Sequence, residues 1–343
     1  MKPSSSKAPL TNVVIRGDGV AARCCAHLLE GPGFRIAAEV APRATLPAIM
    51  ISEATQALFC DVFGQPGLFE GLNRVTRRVV AWPFGAGARV LAHSAVVVAE
   101  QTLLERLRSL PSGGGALEIS EAGWTIVASR PLPRSSAEKH FGDRIARAIA
   151  VTLADGADRS ACYVESLDDG WLFLLPESAT TGWLLAVGGE SESLLDRSRL
   201  LGGQLAEVRS VGAEFRAYPR IAWPLCGPAW LACGTGALAF DPLCGDGSGN
   251  AVREAILAAA VVRAVARGGN PDELLAHYRT RLLAGFHRHL QVCRQYYLGG
   301  GSSAWWAEQL EWLHKGLAWC ETELASAPAA RYQLRGFDVQ RIG

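Results

Sequence analysis

The sequence predicts an α/β fold with three parts. These are a Rossmann-like dinucleotide-binding part, a mixed β-sheet part inserted within it, and a helical C-terminal region. Three observations carry this. First, the apolar strand Asn12–Arg16 runs into Gly17-Asp18-Gly19-Val20-Ala21-Ala22 and a helix through Leu29. In this Gly-x-Gly-x-x-Ala pattern Gly17 permits the tight turn, Gly19 admits a pyrophosphate to the backbone, and Ala22 lets helix pack on strand. Second, the strand Phe34–Val40 carries Glu39 at the roughly 20-residue spacing where an acid accepts hydrogen bonds from a ribose. Third, the apolar run 229–232 leads into Cys233-Gly234-Thr235-Gly236-Ala237-Leu238-Ala239-Phe240-Asp241-Pro242-Leu243-Cys244-Gly245-Asp246-Gly247-Ser248-Gly249-Asn250 and a buried helix to Ala266. Glycines at 245, 247 and 249 leave backbone N–H groups open at a helix start, where the dipole favours an anion or an electron-rich ring edge.

The elements follow in order. Residues 44–63 read as a helix with a Ser52-Glu53-Ala54-Thr55 step, and 79–83 and 90–98 as strands. Glu100 to Leu110 reads as an amphipathic helix. Residues 116–120 and 124–128 read as a hairpin around Glu121-Ala122-Gly123. Three strands, 161–167, 170–175 and 182–187, form a meander closed by the Asp168-Asp169-Gly170 turn. Leu194 to Val208 reads as a helix, Pro271 to Tyr297 as a long one, and Trp305 to Leu324 as a Trp-rich one. Arg130 to Ser136 is linker-like.

Composition narrows the function classes. A net charge of +1 with no Lys/Arg block gives no nucleic-acid footprint. Nine cysteines, with no Cys-x-x-Cys pair, suggest neither a disulfide framework nor a zinc site. The first ten residues lack the apolar core of a signal peptide, and the apolar stretch 255–266 is too short to span a bilayer. A cytoplasmic protein without a membrane span is expected.

The two Gly-rich segments resemble those of the FAD-dependent p-hydroxybenzoate hydroxylase fold, shared with flavin-dependent halogenases and geranylgeranyl-reductase-like proteins. Those families carry an N-terminal Gly-x-Gly-x-x-Ala unit and a late Gly-Asp-Ala…Pro-x-x-Gly-x-Gly segment. Here Thr235 stands in place of the Asp, and Asn250 sits one position late. The segment Gly142-Asp143-Arg144-Ile145-Ala146-Arg147-Ala148 faintly resembles a middle motif of these hydroxylases. The resemblance implies an FAD-binding Rossmann-like (GR2-type) domain at 11–78, 99–158 and 222–268. A substrate-binding β-sheet domain would occupy 79–98 and 159–221, and a helical region 269–343. It implies FAD contacts at Gly17, Gly19, Ala21, Ala22, Glu39 and Arg43, and at Gly234, Thr235, Asp241, Pro242, Gly245, Gly247, Gly249 and Asn250. No metal site is implied.

The halogenase branch carries a Trp-x-Trp-x-Ile-Pro segment and a Lys that holds the active halogen. This chain has no such Trp segment and no Lys between Lys7 and Lys139. It has no second Gly-x-Gly-x-x-Gly unit for a nicotinamide either. It looks most like single-component flavoproteins that oxidise Trp in a protein or peptide, with Asp168-Asp169-Gly170-Trp171-Leu172-Phe173 and the 240–247 block as carriers. The implied reaction is hydroxylation of an electron-rich, Trp-like ring through a flavin hydroperoxide, on an aromatic small molecule or a Trp-containing client, with a separate reductant. His93, Glu165 and Asp169 are the expected catalytic residues, set against readings as a sheet histidine for His93 and a turn former for Asp169. The Trp residues at 305, 306, 312 and 319 either pack a C-terminal cap or present a client-binding surface. Two other functions stay open: a flavin-dependent reductase or dehydrogenase of an apolar small molecule, and a flavoprotein binding partner with little catalysis.

Overall fold

The computed structural model describes residues 10–41, 43, 45–85, 87–108 and 123–342. The chain opens with β1 (Thr11–Arg16), α1 (Val20–Leu29), β2 (Phe34–Glu39), β3 (Ile49–Ser52) and α2 (Glu53–Phe63). There follow β4 (Asn73–Ala81), β5 (Arg89–Val98), α3 (Glu100–Arg108), β6 (Trp124–Val127), β7 (Ala137–His140) and β8 (Ile145–Leu153). The meander is β9 (Ala161–Leu167), β10 (Gly170–Pro176) and β11 (Thr181–Gly188), followed by α4 (Ser191–Arg197) and β12 (Leu205–Arg216). Next come β13 (Arg220–Trp223), β14 (Cys226–Gly227), β15 (Trp230–Ala232) and β16 (Leu238–Ala239). The chain ends with α5 (Gly247–Ala266), α6 (Pro271–Leu298), α7 (Ala304–Ala325), β17 (Tyr332–Arg335) and β18 (Asp338–Arg341).

Two large sheets organise these elements. A five-stranded sheet has the order β14-β15-β6-β1-β2, with β1 parallel to both β2 and β6. The central strand β1 is buried over Val13, Val14 and Ile15, as a strand covered on both faces must be. An eight-stranded sheet has the order β12-β8-β11-β10-β9-β4-β5-β3 and is mixed, because β4 pairs β9 in parallel. It draws in Ile49–Ser52 and Ile145–Leu153, from segments expected in the nucleotide-binding part.

The alternation of β9 and β10 gives this sheet two buried faces. Ala161, Tyr163, Leu167, Leu172 and Leu174 pack into one apolar cluster, with Leu194 and Leu201 closing over it. Cys162, Val164, Trp171 and Phe173 point the other way, into the main core shared with α1, α5 and α6. That second face reaches the later glycine-rich segment through Trp171, whose indole N–H donates to the Tyr297 hydroxyl, itself bound to Asp241. Helix α5 is apolar all round, buried from Ala255 to Val262, and packs against α1.

Four expectations change. Residues 44–63 are helical only from Glu53; β3 comes first, and the Ser52 side chain caps α2 by accepting from the Thr55 N–H. The helix expected over 194–208 ends at Arg197, and Gly202-Gly203 separates it from β12, a bulged edge strand. Trp124–Val127 is a parallel strand between β1 and β15, not a hairpin arm; its expected partner 116–120 lies outside the described residues. Finally, the C-terminal Trp set is not an exposed surface. Trp306 is fully buried, its indole N–H donating to the Leu167 carbonyl, and Trp305, Trp312 and Trp319 are half-buried.

Candidate active site

At the nucleotide end the Gly17 N–H donates to the Glu39 carbonyl, and Gly17 takes φ +122°, a conformation only glycine adopts freely. The end of β6 presses on this turn: a Cβ at Gly17 would stand 2.8 Å from Ser129 Oγ. Ser129 is buried, and its hydroxyl has no hydrogen-bond partner. The Arg43 guanidinium lies over the start of α1, its Nη2 2.8 Å from where a Gly19 Cβ would be. Glu100 holds that guanidinium with two hydrogen bonds, at 3.0 and 2.5 Å. Glu39 accepts from Arg16 at 2.9 Å. A helix N-terminus, a clamped cation and an orphaned hydroxyl thus converge on Gly19, a donor set that suits a pyrophosphate and its riboses.

The second segment docks on the first. Gly234 takes φ +53°, and a Cβ there would meet Ala21 Cβ at 2.6 Å. Its N–H donates to Glu254 on α5 at 2.7 Å. Burial pushes the Glu254 carboxyl up to about 8, although the Gly234 N–H opposes the shift. Thr235 is exposed, with its hydroxyl donating to the Ala128 carbonyl.

Beyond Thr235 the chain reaches its ring end. Asp241 is fully buried and caps the 3-10 turn 242–244 through Leu243 N–H. Arg144 pairs with it at 2.8 Å and donates to Gln309 Oε1 at 2.6 Å. Tyr297 donates to the same carboxylate at 2.7 Å, and its ring stacks under the guanidinium at 4.8 Å. The Asp241 N–H donates to His289 Nε2, so that nitrogen carries no proton. Burial pushes the His289 ring down to about 4.

The turn that follows is open. A Cβ at Gly245 or Gly247 would meet nothing within 4 Å, and Gly245 takes φ +51°. Gly249 is enclosed instead: a Cβ there would sit 2.5 Å from Thr55 Oγ1 and closer still to Asp246. Asp246 accepts from the Thr55 hydroxyl at 2.5 Å and from the Arg253 guanidinium at 2.6 Å, which fixes the start of α5. Asn250 faces Arg253, and Pro242 is half-buried behind the turn. An open glycine cradle on a rigid buried base is what a planar ring needs in order to lie against backbone N–H groups. The residues at both ends therefore fit FAD.

The expected catalytic residues separate. Glu165 is buried on the sheet face turned away from the glycine segments, and it accepts from the Ser198 hydroxyl and from the N–H groups of Arg199 and Leu200. Its acceptors are spent on holding the turn after α4. Asp169 is a half-exposed turn residue paired with Arg197 at 2.5 Å. His93 is half-buried, and its Nε2 has no hydrogen-bond partner. Burial, with Arg78 nearby, pushes its pKa down, so the ring stays neutral and able to accept a proton. Arg78 lies over the Phe173 ring at 5.9 Å, on the core-facing side of the sheet, and its Nε is also buried without a partner.

Sequence reasoning missed Arg144, Gln309, Tyr297, His289 and Cys293. Arg144 lay inside the middle motif without a stated role, and the others sit on helices distant in sequence. Cys244, His289 and Cys293, from the ring-end turn and α6, place their side-chain S and N atoms within 4.8 Å of one another.

No protein-family model matches the chain, and no curated protein matches it. Solved structures do match. The chain is similar to CmlS, a flavin-dependent halogenase, at TM-score 0.71 and 17% identity, covering 93% of this chain and 72% of that one. It is similar to the peptidyl tryptophan dihydroxylase QhpG, essential for tryptophylquinone cofactor biogenesis, at TM-score 0.69 and 18% identity over 97% of this chain and 86% of that one. It is also similar to PqsL, a probable FAD-dependent monooxygenase from Pseudomonas aeruginosa, at TM-score 0.65 and 12% identity over 92% and 100%. The chain has the fold of FAD-dependent halogenases and monooxygenases.

Proposed function

We propose that the protein is an FAD-dependent monooxygenase that hydroxylates an electron-rich, Trp-like ring, presented on a peptide or protein client. The observation that carries this reading is the open Gly245–Gly247 turn at the start of α5, set on the buried Arg144–Asp241–Tyr297 base, which one face of the large sheet meets through Trp171. Bound reduced FAD would supply oxygen activation. Around it the chain's own groups have separate tasks. Gly17, Gly19, Ala22, Arg43 and Glu39 hold the dinucleotide, with Ser129 available to it. The Gly245 N–H is spent on the Pro242 carbonyl, so Gly247 at the start of α5 would offer its N–H to the ring edge, and the dipole of α5 favours negative charge there.

The covering sheet face carries Phe173 and Trp171, which exclude water from the reacting ring. His93, neutral and unpartnered, accepts the ring proton, and Arg78 beside it holds the developing negative charge. Hydroxylation is favoured over halogenation because the lysines among the described residues, Lys139 and Lys315, are both exposed and lie over the Trp319 and Trp312 rings at 5.5 and 4.9 Å.

An apolar edge supports a peptide client. Phe84, Val90 and Leu91 on the β4–β5 hairpin are exposed, as are Tyr296 and Leu298 at the end of α6. The two segments are tied by Trp82 Nε1 donating to the Tyr296 carbonyl at 2.9 Å and by Phe84 N–H donating to Gly300. Likeness to a peptidyl tryptophan dihydroxylase supports the same client class.

Incubating the FAD-loaded protein with a chemical reductant, oxygen and a Trp-containing peptide should raise the peptide mass by about 16 Da per oxygen inserted. Free tryptophan should react poorly, because remote binding energy positions the ring. Efficient hydroxylation of free small aromatics, unaffected by Phe84→Ser and Tyr296→Ser, would replace the client reading with that of a small-molecule hydroxylase.

A further inference from the structure

Behind the ring-end turn lies a second piece of chemistry. Cys244 closes the 3-10 turn that precedes Gly245, and Cys293 sits on α6. Their sulfurs are 3.2 Å apart, although the residues are 49 positions apart in the chain. Cys293 is buried and Cys244 is half-buried, so one of the two is open to small solutes. The Nε2 of His289, one helical turn from Cys293, lies 3.2 Å from the Cys293 sulfur. That nitrogen bears no proton, since it accepts from the Asp241 N–H.

We propose that Cys244 and Cys293 form a reversible, redox-active disulfide site. The oxidant is hydrogen peroxide. The sulfur of the more accessible Cys244 attacks one peroxide oxygen and breaks the O–O bond, giving a sulfenic acid and releasing water that carries the Cys244 thiol proton. The Cys293 sulfur, 3.2 Å away, then attacks the Cys244 sulfur. The S–O bond breaks, and the hydroxide leaves as water with the Cys293 thiol proton. Two thiols lose two electrons and two protons, and one peroxide becomes two waters.

Two features separate this pair from the other seven cysteines and from a metal site. Of the described thiols, Cys25 and Cys233 are also neighbours, but at 3.9 Å, with both side chains fully buried and so closed to peroxide. A tetrahedral zinc site with bonds of about 2.3 Å spreads its sulfurs to about 3.8 Å, whereas these lie at 3.2 Å and His289 Nε2 already accepts a backbone N–H. The contact therefore suits a sulfur–sulfur bond of about 2.05 Å, reached by a shift of roughly 1 Å. Once formed, the bond ties the loop carrying Gly245 and Gly247 to α6. The site rests on the thiol geometry and does not require the FAD reading to hold.

The test titrates reduced full-length protein with hydrogen peroxide, then counts thiols under denaturing conditions and maps peptides by mass. The expected result is a loss of two thiols and a fall of about 2 Da, with one cross-linked peptide joining Cys244 to Cys293, reversed by dithiothreitol. Cys244→Ser should abolish the cross-link, and Cys60→Ser should leave it intact. Peroxide that yields only sulfinic acid on Cys244, or no change in the thiol count, would overturn the proposal. So would protection of both thiols by zinc alone at stoichiometric amounts, which would assign the cluster to a metal.

Discussion

The nucleotide end and the ring end of the site are built in opposite ways. At the nucleotide end the working groups lie close in sequence, and the ion pairs are partly open. The Arg16–Glu39 side chains are 28% and 36% exposed, so that pair contributes within about 1 kcal/mol to folding. At the ring end Arg144 and Asp241 are fully buried, and they draw Gln309 and Tyr297 from two C-terminal helices. A buried pair of this kind contributes little net stability, yet losing one partner strands the other charge. The contrast teaches that a turn meant to bind a ligand with backbone N–H groups needs rigidity from elsewhere, and here the helical C-terminal region supplies it.

The sharpest way to break this comparison is to remove one charge from each end. Arg144→Met leaves Asp241 buried and uncompensated, and it should cost about 3–5 kcal/mol in chemical denaturation. Arg16→Met should cost about 1 kcal/mol or less. Equal losses would mean that the two ends are not built differently.

Glu254 joins the two ends through Gly234, and it gives a pH test. Its folded pKa, about 8, lies above the ordinary glutamate value of 4.5. The folded protein therefore keeps this proton while the unfolded chain loses it. Stability from this group is complete below about pH 4.5 and is lost as pH rises to about 8. The loss should be on the order of 3 kcal/mol after relaxation of the buried site. Glu254→Gln keeps an acceptor for the Gly234 N–H and should flatten that slope in urea titrations between pH 5 and about 8. An unchanged slope would move the pH dependence to another group.

Smaller effects separate neighbouring glycines. Gly249→Ala forces a methyl against Thr55 and Asp246 and should cost about 1–3 kcal/mol. Gly247→Ala points into open space at the first residue of α5 and should be neutral or stabilising by up to about 1 kcal/mol in thermal unfolding. If both substitutions were equally costly, the open cradle at Gly247 would be absent.

How much was legible in the sequence follows the same division. The βαβ unit, the meander, α5, α6 and α7 could be read because their signals are local: glycine spacing, alternation and helical period. The part of 44–63 that forms β3 was misread because three apolar residues, Ile49, Met50 and Ile51, fit helix and strand equally until β5 pairs with them. The helix extended to Val208 overlooked Gly202-Gly203 as a break. Arg144, Tyr297, Gln309 and His289 stayed hidden because their roles come from long-range contacts, 165 positions apart for Arg144 and Gln309. The face that Glu165 takes was hidden because strand parity, which sets the face of a side chain, is settled only by pairing register. The exposed Trp surface failed for a related reason: Gly300 and Gly301 fold against Trp306 and bury it.

The central claim is that one FAD spans both ends, and equilibrium binding of FAD tests it most directly. Purified protein, incubated with FAD and passed through gel filtration, should retain flavin with a perturbed visible spectrum. Glu39→Ala, which removes the ribose acceptor, should weaken binding by about 1–3 kcal/mol. Gly247→Val should lose the ring-end spectral perturbation while its circular dichroism stays unchanged. A wild-type protein that remains colourless after incubation would contradict the account, and so would a Gly247→Val variant that binds FAD with the wild-type affinity and spectrum.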